Sequence, residues 1–360
     1  MKHLLTLLTL SAIIVTGCGG TKQEDAAWCD REEHAETNAV YYWKTVFRLD
    51  SAGHEFVDRH GIGRIYLRMF DVSADAYDDS PENRTIPNAS VKIDDDMYRE
   101  IKETAADREY VPVVYITLEA LKAMNGREYV LASNIVTRVR NMCEYNGLTN
   151  VAELQLDCDW TTSTEESFFN LCKQVRHCIG ELELPWKLSS TIRLHQLARQ
   201  VPPVDRGVLM VYNTGAFNNP DAGNSIIDPD DVSPYLKYLP GYRLHLDVAY
   251  PTYSWQLLFR ERRFTGLTNG LDLTDTSRFE PKNATQYVAL KDIPHNGKII
   301  RKGDIVRAEA SRYDDVLEVK RSIEQQLAGR PHSNILYHLD SKNLSNYTHD
   351  EIQTLFAVGR

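Results

Sequence analysis

After an apolar run at residues 4–15, no segment of the sequence stays apolar long enough to cross a bilayer as a helix. Positive charge is in short supply: 41 Lys and Arg stand against 51 Asp and Glu, and a net charge of −10 argues against a nucleic-acid surface. No glycine-rich phosphate turn follows the first strand-like run, so a dinucleotide fingerprint is absent. No Gly-x-Ser-x-Gly elbow accompanies a credible base, which disfavours a serine hydrolase. Cysteine is sparse and irregular. With Cys18 set aside at the end of the leading run, Cys29, Cys143, Cys158, Cys172 and Cys178 form an odd set, not a disulfide framework. Close Cys/His couples of zinc-site spacing are missing, so neither a metal nor another cofactor is expected.

What is there begins with Lys2 and His3 ahead of the apolar run, which is too short for a lasting membrane helix and suits an export signal. The run ends in Val15-Thr16-Gly17-Cys18, which resembles the lipobox of bacterial lipoproteins. That resemblance implies removal of residues 1–17, acyl chains on Cys18 and attachment to the outer membrane, on its periplasmic face or at the cell surface, by lipid alone. The alternative is an ordinary secretory signal with a chance cysteine. Residues 19–36 are small, polar and charged and read as a flexible tether. Within them Glu24-Asp25 resembles the surface-export signals of some Gram-negative lipoproteins.

Residues 37–360 suffice for one large domain or two small ones, with 42% hydrophobic residues over the chain. Eight short apolar or β-branched runs, at 39–47, 64–72, 111–118, 151–159, 187–195, 207–212, 243–250 and 334–339, alternate with segments of helical period. The helical segments include 95–106, 129–145, 164–179 and 313–327, and 348–357 closes the chain. Eight strands with intervening helices predict an α/β fold, a (β/α)8 TIM barrel; an open doubly wound sheet is the runner-up. Two stretches exceed the minimal unit. Residues 73–94, rich in Asp, Pro and Asn, form a long loop after the second strand. Residues 264–308 form a small β-rich insertion before the last helix and strand, with a hairpin of 287–290 and 298–308 around His295-Asn296-Gly297.

Alternate residues of a strand share a face, and in a barrel one face looks inward. On the fourth run Gln155, Asp157 and Asp159 therefore share the inner face, while Cys158 faces the helices and is a poor nucleophile. Two carboxylates so spaced stand roughly 7 Å apart. In a dry pocket each disfavours ionisation of the other, which makes a proton donor available; capping a helix or binding an arginine is the plainer role. Similar alternation offers Tyr66 and Arg68 on the second run, Tyr115, Thr117 and Glu119 on the third, and Thr191, Arg193 and His195 on the fifth. The seventh offers Arg243, His245 and Asp247. A barrel built for stability alone fills such places with branched apolar side chains, so their convergence predicts a polar pocket. Trp43, Trp160, Tyr212, Tyr250, Tyr253 and Trp255 lie near strand ends, and aromatic faces beside carboxylates suit sugar rings.

Leu156-Asp157-Cys158-Asp159 after an apolar strand, with Met210-Val211-Tyr212-Asn213 on the sixth, resembles the glycoside hydrolase family 18 barrels, the chitinases and endo-β-N-acetylglucosaminidases. In that family the fourth strand ends in D-x-x-D-x-D-x-E, and the sixth carries a Met-x-Tyr-Asp/Asn motif that holds the substrate's N-acetyl group. Asp157 and Asp159 match the last two aspartates. Leu154 stands at the first aspartate and Thr161 at the acid glutamate, the proton donor; Glu165 and Glu166 are too far along the chain to replace it. Tyr41-Tyr42-Trp43 and Gln155-Leu156-Asp157-x-Asp159 also resemble a family of bacterial barrel proteins grouped as a domain of unknown function. That resemblance supports the fold and implies no reaction.

These readings converge on an exported lipoprotein that acts on or binds glycans. Asp159 is the expected proton donor and Asp157 its partner, with Trp43, Arg68, Glu119, Arg193, His195, Tyr212, Asn213, Asp247 and Tyr250 as sugar contacts. A carbohydrate-binding lipoprotein that lost the acid is the alternative, motivated by Thr161. A third reading is a scaffold using the acidic surface and the insertion for a protein partner.

Overall fold

The computed structural model describes residues 37–75, 84–103 and 108–359. The expected signal, Cys18, the tether with Glu24-Asp25, and Cys29 lie outside the described residues. Eight parallel strands close on themselves: β1 (Asn38–Tyr42), β2 (Ile62–Ala74), β3 (Glu109–Ile116), β4 (Glu153–Asp157), β5 (Lys187–Arg193), β6 (Arg206–Met210), β7 (Leu246–Pro251) and β8 (Asn334–Tyr337). Each pairs with its neighbours in sequence, and β1 pairs with both β2 and β8, so no edge is left open. This is the (β/α)8 barrel.

Alternation builds two cores. Ala39, Tyr41, Tyr66, Val111, Val113, Val208, Met210, Ala249 and Ile335 fill the barrel's interior. Val40, Leu154, Leu156, Ile192, Leu209, Val248 and Leu336 join the larger core beneath the helices. The surrounding helices include α1 (Ser51–Arg59), α2 (Asp95–Glu103), α3 (Leu118–Ala123), α4 (Glu128–Asn146), α5 (Glu165–Glu181), α6 (Pro229–Leu236) and α7 (Tyr313–Leu327). The long periodic helices match their sequence signal. α1, α3 and α6 are too short to show a helical period in the sequence, although each starts on a side-chain cap, from Asp50, Thr117 and Asp228 respectively.

The first strand stops at Tyr42, short of the expected 47. The Tyr42 hydroxyl bonds the carbonyl of Val46 at 2.6 Å, and Val46–Phe47 then pairs separately with Lys92–Ile93. In β2 the register shifts between Arg68 and Phe70, and such a bulge changes which residues share a face, so Arg68 and Asp71 come together. The end of β2 pairs antiparallel with Thr85–Asn88.

The insertion is a five-stranded antiparallel sheet that begins at Ser254, ahead of the expected 264. In spatial order its strands are Arg263–Thr268, Ser254–Arg260, Ile305–Ala310, Gln286–Ala289 and Phe279–Pro281. Tyr287 pairs with Val306, inside the expected partner segment. The turn at Asn296-Gly297 closes a separate hairpin, Ile293–His295 with Lys298–Ile300, both turn residues having positive φ as a two-residue loop requires.

Candidate functional site

Asp157 ends β4, and its carboxyl is almost wholly buried, with 4% side-chain exposure. The neighbouring strand ends in Thr191 and Arg193 on the same face. Thr191 Oγ1 donates to Asp157 Oδ1 at 2.6 Å, and Arg193 Nη2 donates to the same oxygen at 3.0 Å. Arg193 Nε donates to Asp159, whose side chain is 47% exposed at the mouth. One guanidinium therefore holds both carboxylates. Burial pushes the Asp157 carboxyl above its ordinary range; the Asp159 charge adds to this, while Arg193 and the Thr191 hydroxyl oppose it. Tyr115, half-buried beside the pair, has its hydroxyl pushed up by burial and by both aspartates.

An aromatic floor surrounds this clamp. Tyr212 stacks on Tyr337 with ring centroids 4.4 Å apart, and Tyr337 lies 5.8 Å from both Trp43 and Tyr253. Arg193 sits 6.0 Å from the Tyr212 ring centre, and Arg68, paired with Asp71, sits 5.5 Å from that of Trp43. Asn213, at positive φ, accepts from the Tyr253 hydroxyl at 2.7 Å.

Thus Asp157, Asp159, Arg193, Arg68, Trp43, Tyr212 and Asn213 come together at the carboxyl ends of the strands. Four expected contacts do not join them. His195 is exposed on a 3-10 turn, Leu194–Ala198, because β5 ends at Arg193. Glu119 is exposed in the first turn of α3, which Thr117 caps. Tyr250 belongs to the outer core under the helices. Asp247 is inward but at the amino end of β7, since that strand begins at Leu246 rather than 243; it accepts from the Ser333 amide at 2.7 Å and faces His245 at 3.4 Å. That lower layer also holds Glu153, paired with Arg206 at 3.4 Å and pushed up by burial, and Arg64, paired with Glu109 at 2.7 Å. Gln155 links the layers: it accepts from Tyr41 at 2.7 Å and donates to Ser189 at 3.3 Å, and Ser189 donates to Glu153.

Cys158 is fully buried in the outer core, as its alternation predicts, and burial raises its thiol pKa strongly. At the family's acid position, Thr161 is exposed in a hydroxyl turn, its amide bonded to Thr164 Oγ1 at 2.9 Å. Glu165 and Glu166 follow in the first turn of α5. Two members of the site escaped the sequence reading. Asp71 was hidden by the bulge; Tyr337 carried a usable signal, since alternation from Ile335 points it inward.

The fold and this mouth define a (β/α)8 barrel with a clamped carboxylate pair at the carboxyl ends of its strands. Among solved structures the chain is similar to the spore cortex-lytic enzyme SleL of Bacillus cereus, with 10% identity over 90% of this chain and 75% of that one and a TM-score of 0.52. Further neighbours are a chitinase from Chromobacterium violaceum (11% identity over 87% of this chain and 98% of that one, TM-score 0.47) and human YKL-39, described as a pseudo-chitinase with retained chitooligosaccharide binding (11% over 89% and 98%, TM-score 0.49). These are family-18-like barrels at low identity, and the likeness is one of fold. No protein-family model and no curated protein sequence matches the chain.

Proposed function

We propose that this chain is a lipid-anchored cell-envelope protein whose barrel binds a glycan without cleaving it. The observation that carries the reading is the single guanidinium of Arg193 holding Asp157 and Asp159 together. A general acid must present its proton to the leaving oxygen. Both candidates are instead committed to a cation, and the position of the family's acid is Thr161. The aromatic floor and the hydrogen-bonding groups around it suit sugar rings. The cortex-lytic activity named for the SleL structure is in keeping with an envelope glycan as ligand.

Calorimetry with β-1,4-linked N-acetylglucosamine oligomers and with soluble peptidoglycan strands is expected to give saturable binding. Reducing ends should not appear on long incubation. Asp159→Asn should retain binding, since the amide oxygen still accepts from Arg193. Steady release of reducing ends, falling about a hundredfold in Asp159→Asn, would instead make Asp159 a general acid and the protein a hydrolase. Absence of any sugar binding would remove the glycan reading altogether.

Anchoring has its own check. Cys18→Ala should move the protein from the membrane fraction to the soluble extract, because acyl chains on that cysteine are the proposed anchor and no helix among the described residues is long and apolar enough to cross a bilayer. Unchanged fractionation would remove the lipid anchor from the proposal.

A further inference from the structure

A cleft of about 970 Å³ opens beside the barrel mouth, between the inserted sheet, the loop after β6 and the segment after β8. Trp255, the second residue of the strand Ser254–Arg260, forms part of its wall and is partly exposed there. Its indole is fixed from behind. Nε1 donates to Glu309 Oε2 at 2.6 Å; that oxygen also accepts from Ser225 Oγ at 2.6 Å, and Glu309 Oε1 lies 2.6 Å from Arg307. The carboxylate is buried, so swinging the ring away would take a charge-assisted hydrogen bond from a group that water cannot reach. A rigid aromatic wall facing an open cleft is costly in solvent and useful when a flat apolar surface covers it.

The ring is also continuous with the site described above. Trp255 meets Tyr253 edge-to-face at 5.6 Å, Tyr253 meets Tyr337 at 5.8 Å, and Tyr337 meets Trp43 at 5.8 Å. An unbroken row of rings thus leads from the Asp157–Arg193 clamp into the cleft. The acids of the cleft are already engaged: Asp340 with Lys44 at 2.6 Å, Asp315 with Arg312 at 3.0 Å, and Asp228 as the cap of α6. Around Trp255 the cleft offers the hydrogen-bonding side chains of Asn269, Thr285 and Asn343, with Lys342 exposed at its rim. Polar groups around an aromatic face match a sugar ring, whose C–H surface stacks while its hydroxyls take the hydrogen bonds.

We propose that Trp255 is the platform of a second saccharide subsite, so that the ligand is an oligosaccharide lying lengthwise from the barrel mouth to the inserted sheet. This rests on the glycan-binding reading and adds its length and direction. The insertion is then part of the binding surface, and affinity must depend on chain length, because a short ligand fills the mouth alone.

The test compares a disaccharide and a hexasaccharide of β-1,4-linked N-acetylglucosamine, titrated into the detergent-solubilised full chain. The hexasaccharide should bind about tenfold tighter, the gain expected of one stacked ring. Trp255→Ala should abolish that advantage and leave disaccharide affinity unchanged. Trp255→Phe, which keeps a ring without the indole N–H, should retain part of it and decides the matter if the alanine variant fails to fold. Equal wild-type affinities, or equal loss for both ligands in the variants, would overturn the subsite while leaving glycan binding in place. Failure of the wild type to bind either oligomer or peptidoglycan strands would remove both.

Discussion

Replacing Arg193 by Met should destabilise the barrel by about 3–5 kcal/mol, the cost of stranding a buried charge. The loss comes from Asp157 rather than Asp159. Asp157 has 4% side-chain exposure and would keep only the Thr191 hydroxyl, whereas Asp159, with 47% exposure, can turn to water. The deficit should also depend on pH. The folded Asp157 carboxyl already lies above its ordinary value of 3.8 through burial, and removing the opposing cation raises it further. A folded state that holds a proton more tightly than the unfolded chain is favoured at low pH and loses that advantage as pH rises through the raised value. Urea melts of Arg193→Met should therefore show a deficit that grows as pH rises from the ordinary carboxylate range through the raised value. Asp157→Asn in the same background should recover part of it by removing the charge. A variant as stable as wild type across that range would mean that the clamp is not holding a charged carboxylate.

The second large effect is expected inside the insertion, where the Arg307 side chain has no solvent exposure. Its Nη2 donates to the Phe217 carbonyl at 3.0 Å, its Nη1 donates to the carbonyls of Asn219 and Ala222, and its Cζ lies 5.1 Å from the Phe259 ring centre. Arg307→Met strands those carbonyls and leaves Glu309 without its cation. A loss of about 3–5 kcal/mol is expected. Arg307→Lys should recover little, because an ammonium cannot reproduce the fork that reaches three carbonyls and a carboxylate. Limited proteolysis should then cut within residues 213–228, the loop these bonds hold. If Arg307→Met melts like wild type and resists protease, Arg307 is not the strut between the sheet and that loop.

How far the sequence carried this picture depended on which interactions were local. Strand alternation placed Gln155, Asp157, Thr191 and Arg193 on one inner face and Cys158 on the other, because period-two geometry is imposed by the backbone itself. It failed where a strand ended early or bulged. His195 and Glu119 fell beyond the true ends of β5 and β3, and Asp71 changed faces at the bulge in β2. Asp247 faced inward as expected but at the wrong height, since alternation fixes the face and not the level at which adjacent strands are staggered. Nothing local could show that one arginine takes both aspartates, or that Glu309 fixes Trp255. Those contacts join segments far apart in sequence, and only the closed barrel brings them together.

The four described thiols, Cys143, Cys158, Cys172 and Cys178, are all free and buried. Burial raises each of them, Cys143 to about 12, so almost none is present as the reactive thiolate at neutral pH. They lie in α4, α5 and the loop after β4, where the helices pack on the barrel. An alkylating reagent can therefore reach them only when that packing opens, and the speed of their modification becomes a clock for opening of the barrel wall.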